Sequence, residues 1–317
     1  MEIRQVTVFG GTGVIGRYIV RALAARGYRV RVAVRHPQLA DFTKLAGDVG
    51  QVMAMLTNVR YPDSVRAAIA GSQAVVNASG IHVQRGKQKY KAVHDDGARH
   101  IAEAARDAGV ARVIHISGLG ADNQRPGNRF VASKAMAEHQ MNRAFPSVTI
   151  MRPSVVFCPE DKFFNRLALT ARMLPFVPVF NGGTARIQPV HAGDIAEAVV
   201  RALAEERTQF GVFELGGPLV YTYRELVELT LRMTDLKRRI VNLPAFPVRI
   251  GAFFAEFLPN PPITRDQLDL LLRDNVVRAG SQGFAELGIQ PRSAEAILPM
   301  YLDRYRPGGR YDVAAPA

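Results

Sequence analysis

Apolar positions in the first half of the chain switch repeatedly between two periods. Gln5–Phe9 (QVTVF) is a short apolar run. Val14–Arg26 then places Ile15, Ile19, Ala22 and Leu23 on one helical face, with Arg17, Arg21 and Arg26 elsewhere. Tyr28–Val34 alternates Val30, Val32 and Val34 against Arg29 and Arg31, the pattern of a strand. Strand-like runs recur at Gln51–Met55, Ala74–Asn77, Arg112–Ile116 and Val148–Met151, and helical stretches at Asp63–Ala70, Val93–Ala108 and Phe130–Phe145. Gly27 and Gly109 stand where two of these helices would end. Strands alternating with helices, and strands that are nearly continuous in apolar residues, predict the α/β class: a doubly wound parallel sheet covered on both faces.

The second half is less regular. Phe163–Leu174 reads as a helix that Pro175, Pro178 and Gly182-Gly183 interrupt. Helical periods return at Asp194–Ala204, Thr222–Met233, Pro247–Leu258, Arg265–Leu272 and Ala294–Leu302, and a strand at Val212–Leu215. Pro247–Leu258 carries Phe253, Phe254 and Phe257 and is read as a core helix before an interfacial or partner-binding one; Lys237-Arg238-Arg239 precede it. Asn260–Pro262 is a break, and the tail from Pro307 reads as frayed. These elements suggest a first domain over residues 1–158, rejoined by 187–218. A small C-terminal α/β domain follows from 159–186 and 219–306, with a tail at 307–317.

The first chemical signal lies between strand one and helix one. Gly10-Gly11-Thr12-Gly13-Val14-Ile15-Gly16 has glycines at the first, fourth and seventh places. Glycine permits the tight turn and lets a bare backbone approach a pyrophosphate, and the helix N-terminus offers free N–H groups to that anion. The strand–turn–helix setting makes this a dinucleotide site, not an idle turn. Strand two ends at Val34 and is followed by Arg35 and His36, with no carboxylate near enough for a ribose hydroxyl; Asp41 comes too late. Arg17, just past the last glycine, points to the same region. Two guanidinium groups suit a 2′-phosphate, so NADP(H) is expected over NAD(H). Asn58 and Val59 after strand three are candidates for the adenine end, and Ala78, Ser79 and Gly80 after strand four for the cofactor's path.

Charge sharpens this picture. Of 317 residues, 41 are Lys or Arg and 28 Asp or Glu, a net of +13. Residues 1–100 hold 15 basic and 6 acidic side chains, whereas residues 251–317 hold 7 and 8. The positive first third fits an anionic ligand, partner or membrane surface, or else a solvated basic face. Nucleic acid is set aside, because zinc-finger spacing, aromatic recognition motifs and Trp are all lacking. No apolar run reaches the roughly 18 residues of a membrane span, and the start reads as a strand and not a signal peptide, so a soluble or peripheral protein is expected. The single cysteine, Cys158, allows no internal disulfide. His82, His94, His115 and His191 show no metal spacing, and no metal is expected.

These motifs carry a family resemblance. GGTGVIGRYIV, NASG at strand four, HISG (His115–Gly118), Ser133-Lys134 and MRPSVVF (Met151–Phe157) together resemble the short-chain dehydrogenase/reductase superfamily, in its extended or atypical branch. FFNRLA (Phe163–Ala168), IQPVHAGDIAEAV (Ile187–Val199) and NPPITRDQLDLL (Asn260–Leu271) are similar to the Rossmann-fold accessory subunit of respiratory complex I in its bacterial form. The resemblance implies NADPH held as a structural element and not turned over, with Pro153 and Val155 of MRPSVVF counted among the cofactor residues. It also implies a small domain closing over a cleft, and a role in assembly or stability of the complex. Its partners would be core subunits where the hydrophilic arm meets the membrane, with anionic lipid head groups nearby. The place would be the cytoplasmic face of a bacterial inner membrane, or the matrix side in mitochondria.

Active members of the superfamily use a Tyr four residues before a Lys, with an upstream Ser. The Lys lowers the Tyr pKa and holds the nicotinamide ribose, and the Tyr passes a proton to the substrate. Here Lys134 matches the Lys and Ser117 the Ser, but the Tyr position is Phe130, which has no proton to give. Tyr90, in a basic loop with Arg85, Lys87, Lys89 and Lys91, is a weak substitute. His191 and Asp194 are read as structural. Two further readings stand beside the accessory subunit. One is a free atypical NADP-dependent reductase or isomerase in quinone or lipid metabolism; the other is a redox-sensing binding protein.

Overall fold

The computed structural model describes residues 2–122, 127–256 and 263–308. Phe257 and Leu258, the Asn260–Pro262 break and the tail beyond Gly308 lie outside them. The described chain forms two compact units. The first comprises Met1–Pro153, Ala192–Leu215 and Arg278–Gln290; the second comprises Ser154–His191, Gly216–Val277 and Pro291–Ala317.

The first unit holds strands β1 (Gln5–Phe9), β2 (Arg29–Val34), β3 (Val52–Leu56), β4 (Ala74–Asn77), β5 (Arg112–Ile116) and β6 (Thr149–Pro153). Helices α1 (Val14–Ala25), α2 (Pro62–Ile69), α3 (Asp96–Asp107) and α4 (Arg129–Ala144) alternate with them. All the strands pair in parallel. With a seventh strand from later in the chain, at Val212–Leu215, the order is β3-β2-β1-β4-β5-β6 and then that strand. Every residue of β4, β5 and β6 is buried, as a sheet covered on both faces requires. One face packs on α2, α3 and α4 through Phe9, Val65, Ile69, Ile101, Met141 and Ile150. The other is covered by α1, which lies against the helix Ala192–Ala204. Strand order reverses between β1 and β4, and the glycine turn follows β1 at that switch point, the usual ligand crevice of such sheets.

The expected helix Val93–Ala108 is in fact divided. The backbone widens to a π-type turn over Lys91–Asp95 before α3 begins, a local feature that apolar spacing does not encode.

The second unit contains β7 (Val156–Phe157), α5 (Phe164–Met173), β8 (Phe176–Phe180), β9 (Arg186–Ile187) and β10 (Val190–His191). The chain then returns to the first unit as α6 (Ala192–Ala204) and β11 (Val212–Leu215). The rest of the second unit is β12 (Tyr221–Thr222), α7 (Tyr223–Thr234), β13 (Arg239–Leu243), α8 (Ala245–Ala255), α9 (Arg265–Leu271), α10 (Ala294–Ile297) and α11 (Pro299–Leu302). Its strands form three two-stranded pairs, β7 with β10, β9 with β12 and β8 with β13. Phe157, Phe164, Val179, Leu226, Leu268 and Leu302 build its core. Reciprocal capping boxes, Thr222 with Glu225 and Thr264 with Gln267, start α7 and α9.

Four boundaries differ from the expected ones. Residues 154–158 belong to the second unit, where β7 pairs with β10. Residues 187–191 stay in the second unit because β10 pairs with β7, and 216–218 stay there with Gln188, whose Nε2 donates to the Gly217 carbonyl. Arg278–Gln290 joins the first unit because the Glu214 N–H donates to the Gln282 carbonyl and the Glu214 carboxylate holds Arg278. Helix α8 is also corrected. It buries only Ala252, and Phe246, Ile250, Phe253 and Phe254 face solvent, Phe246 at 76% exposure.

Candidate functional site

The glycine turn shows why each of its glycines is one. Gly10 adopts φ +75°, and a Cβ there would lie 2.6 Å from the Ala78 carbonyl oxygen at the end of β4. A Cβ on Gly16 would lie 2.1 Å from the Gly10 oxygen, and one on Gly11 2.7 Å from Val32. These three are fixed by the protein's own packing. Gly13 is different: it is exposed, its φ of −70° suits any residue, and a Cβ would come only to 3.2 Å from the Gly10 oxygen. A Cβ there would be tight against that carbonyl, without the overlap that arises at the other three. Gly13 is also the N-cap of α1, with no side-chain cap and no acidic residue in the first turn, so the helix presents Val14 and Ile15 with an unneutralised positive end.

At the far end of β2, Arg35 and His36 are exposed. Arg17 lies with its guanidinium 4.9 Å from the centre of the Phe42 ring and donates to the Thr12 carbonyl at 3.2 Å. It is thereby held between the glycine turn and the segment after β2. Asn58 closes its own turn, since its Oδ1 accepts from Arg60 and its N–H donates to Ser64. Val59 packs into the core against Gly97, and its carbonyl bonds His100 Nδ1. At the end of β4, Asn77 Oδ1 accepts from both the N–H and the hydroxyl of Ser79.

A second cluster gathers around Lys134 on α4, beside the end of β5. The lysine is buried; its Nζ donates to the Ile116 carbonyl at 3.2 Å and lies 3.5 Å from where a Gly80 Cβ would stand. Burial pushes its pKa down to about 8, partly opposed by Glu138 one helical turn on. Two more donor positions of the ammonium remain for a ligand. Ser117 donates its N–H to the Met151 carbonyl, but its buried Oγ has no partner among the described residues. Pro153 ends β6, and its carbonyl accepts from the Leu119 N–H at 3.1 Å. Val155 falls in the second unit, packed on that unit's core.

His94, set by the π-type turn, accepts the Ile81 N–H at Nε2 (2.9 Å), so Nδ1 carries the proton to Ser133 Oγ at 2.7 Å. Ser133 in turn donates to the Phe130 carbonyl at 2.6 Å. Burial drives the His94 pKa to about 2, with the Lys134, His115 and His82 charges adding; the ring stays neutral and structural. Phe130 itself sits among rings: His82 stacks on it at 5.3 Å, and Tyr90 and His94 meet it edge-on at 5.9 Å. The Tyr90 hydroxyl is committed to the His82 carbonyl at 2.9 Å and does not stand in for the missing phenol. Cys158 is buried, its thiol pushed up to about 12 chiefly by burial, which leaves it an inert packing group. Among the described residues no group of His, Cys, Asp and Glu could hold a metal ion, and no helix is long and apolar enough to cross a membrane.

One cluster was missed from the sequence. Arg152 makes a two-pronged pair with Glu138 at 2.9 and 2.6 Å, and its third nitrogen faces Asp122 at 3.6 Å and Glu214 at 3.8 Å. Arg278 closes on Asp122 at 2.5 Å and on Glu214 at 2.9 Å. The network fixes α4 one turn beyond Lys134. Its signal was the arginine in the otherwise apolar strand TIMRP, since a buried cation demands a buried partner.

The residues therefore fit a nicotinamide dinucleotide. Gly10–Gly16 can cradle the pyrophosphate, and Lys134 and the unpartnered Ser117 hydroxyl can bond the nicotinamide ribose and amide. Such a cofactor supplies a hydride when bound. Phe130 supplies no proton to go with it.

Comparison with known proteins agrees. A family model described as NAD(P)H-binding matches residues 10–162. The chain is 35% identical over 320 residues to "NADH dehydrogenase [ubiquinone] 1 alpha subcomplex subunit 9, mitochondrial" of Arabidopsis thaliana, covering 96% of this chain and 78% of that one. The chain belongs to that family. A second relative, the "NADH-ubiquinone oxidoreductase 40 kDa subunit, mitochondrial" of Neurospora crassa, is 32% identical over 97% of this chain and 81% of its own. A ceramide reductase of Caulobacter vibrioides is 33% identical over 75% of this chain and 73% of its own. Among solved structures, dTDP-glucose 4,6-dehydratase DesIV of Streptomyces venezuelae, with NAD and TYD bound, superposes with a TM-score of 0.72 at 20% identity. It covers 95% of this chain and 96% of its own, a likeness of fold alone.

Proposed function

We propose that this chain is a non-catalytic accessory subunit of respiratory complex I that holds NADPH as a structural element and supports assembly or stability of the complex. The observation that carries the reading is Phe130 at the proton-donating position of an otherwise complete nucleotide site. NADP(H) is favoured over NAD(H) by Arg17, fixed beside the glycine turn, and by Arg35 at the end of β2, where no carboxylate follows. The subunit sits peripherally where the hydrophilic arm meets the membrane, on the cytoplasmic face of a bacterial inner membrane or the matrix side in mitochondria, with anionic lipid head groups close by.

The test is native electrophoresis of mildly solubilised membranes, with in-gel NADH dehydrogenase staining and mass spectrometry of the stained band. Stoichiometric presence of the chain in the active band is the expected result. Migration as a free protein removes the reading. A second reading, a free NADP-dependent reductase acting on a lipid or quinone, is favoured by the likeness to ceramide reductase. Oxidation of NADPH by the isolated chain with a carbonyl-bearing lipid would install it in place of the first.

A further inference from the structure

The second unit carries a small exposed apolar tip with cations beside it. The chain exposes Met173 (72%) at the end of α5, Leu174 after it and Phe176 at the start of β8. Strand pairing sets Phe176 opposite Arg239, and Arg238 Nε donates to the Ala171 carbonyl at 2.7 Å, so the start of β13 lies beside the tip. Lys237 and Arg239 are exposed there, as is Arg172, which donates to the Arg304 carbonyl at 3.4 Å. Asp235, the acid next to this basic run, is engaged by Arg306 at 3.6 Å. Exposed apolar side chains beside the exposed Lys237 and Arg239 make an amphipathic surface.

The geometry points to docking of this tip on an anionic bilayer surface, with Met173, Leu174 and Phe176 entering the head-group boundary and Lys237 and Arg239 meeting lipid phosphates. Three apolar side chains are too few for the core of a stable protein interface, which buries about 1,600 Å². A bilayer asks only for shallow apolar insertion with flanking cations. The surface deepens the peripheral-membrane part of the proposed function and rests on that reading only for its setting.

The chain has no tryptophan, so Met173→Trp places one fluorophore in the tip. Vesicles of phosphatidylcholine with phosphatidylglycerol should shift its emission to the blue, and vesicles of phosphatidylcholine alone should not. Co-sedimentation of the unaltered chain with the mixed vesicles should weaken about 30-fold in Lys237→Gln/Arg239→Gln. It should weaken about tenfold in Met173→Ser. All these side chains are exposed, and circular dichroism should confirm unchanged folding. Equal binding to both vesicle types, a silent Met173→Trp, or a blue shift at Phe254→Trp on α8 with none at Met173→Trp would each overturn the assignment. A chain found in complex I that ignores anionic vesicles would overturn this surface and leave the proposed function standing; the converse result would do the reverse.

Discussion

The two halves of the candidate nucleotide site offer different things. The glycine turn combines Gly10 and Gly16, locked by backbone contacts, Gly11, locked by the Val8, Val20 and Val32 side chains, an exposed Gly13, and a helix end with no acid to neutralise it. At the nicotinamide end, Lys134 and Ser117 still offer unfilled donors, but the group that would move a proton is a phenyl ring stacked among His82, Tyr90 and His94. Holding a cofactor and reacting with it are separable demands. The first needs shape and donors along the whole pocket, and the second needs one titratable group at one place.

The sharpest way to break this contrast is within the turn itself. Gly16→Ala drives a methyl into the Gly10 carbonyl and should cost about 2–3 kcal/mol of stability and abolish nucleotide binding, read by thermal unfolding and fluorescence titration. Gly13→Ala should fold with a loss of about 1 kcal/mol or less yet bind NADPH at least about tenfold more weakly, because the proposed pyrophosphate approaches the bare backbone there. If both variants fold and bind alike, the distinction drawn between the two glycines is wrong.

Lys134 comes next. Its folded pKa of about 8 lies below the ordinary lysine value, so the unfolded chain holds the proton longer. Stability of the nucleotide-free protein should therefore rise with pH from about 8 toward that ordinary value. NADPH affinity should fall through the same window as the ammonium is lost. Lys134→Met should weaken NADPH binding about 30-fold and flatten both profiles, as calorimetry across pH would show. Arg17→Ser and Arg35→Ser should each reduce the preference for NADPH over NADH by about tenfold and leave NADH binding alone. The smallest effect belongs to Phe130→Tyr, which should change nucleotide affinity less than about twofold, since the ring contributes packing and not binding.

A second contrast, between the two units, shows what a sequence can disclose. β1, β4, β5 and β11 were legible because a parallel strand buried on both faces is a local apolar run, and the glycine turn because its residues are adjacent in sequence. The strands of the second unit were not. β8 contains Pro178, which reads as a break, yet a two-stranded sheet consists only of edges and tolerates it. β7, β9, β10 and β12 are two residues long and are defined only by their partners. In the candidate site, Ser117, Phe130 and Lys134 were named through the family resemblance. The π-type turn that aims His94, and the Glu138–Arg152–Glu214–Arg278 network, depend on residues up to 140 positions apart by number, from Glu138 to Arg278, and no local period reports them. Helix α8 marks another limit: Phe246, Ile250, Phe253 and Phe254 make a stripe at core spacing, but spacing does not say what covers it.

The most direct test is to isolate active complex I from native membranes and release and quantify its nucleotides before and after many turnovers with NADH and quinone. The account predicts one NADPH for each copy of this chain, with its amount and reduced state unchanged by turnover. Absence of the chain from the active complex, or NADPH that becomes oxidised in step with turnover, would contradict it.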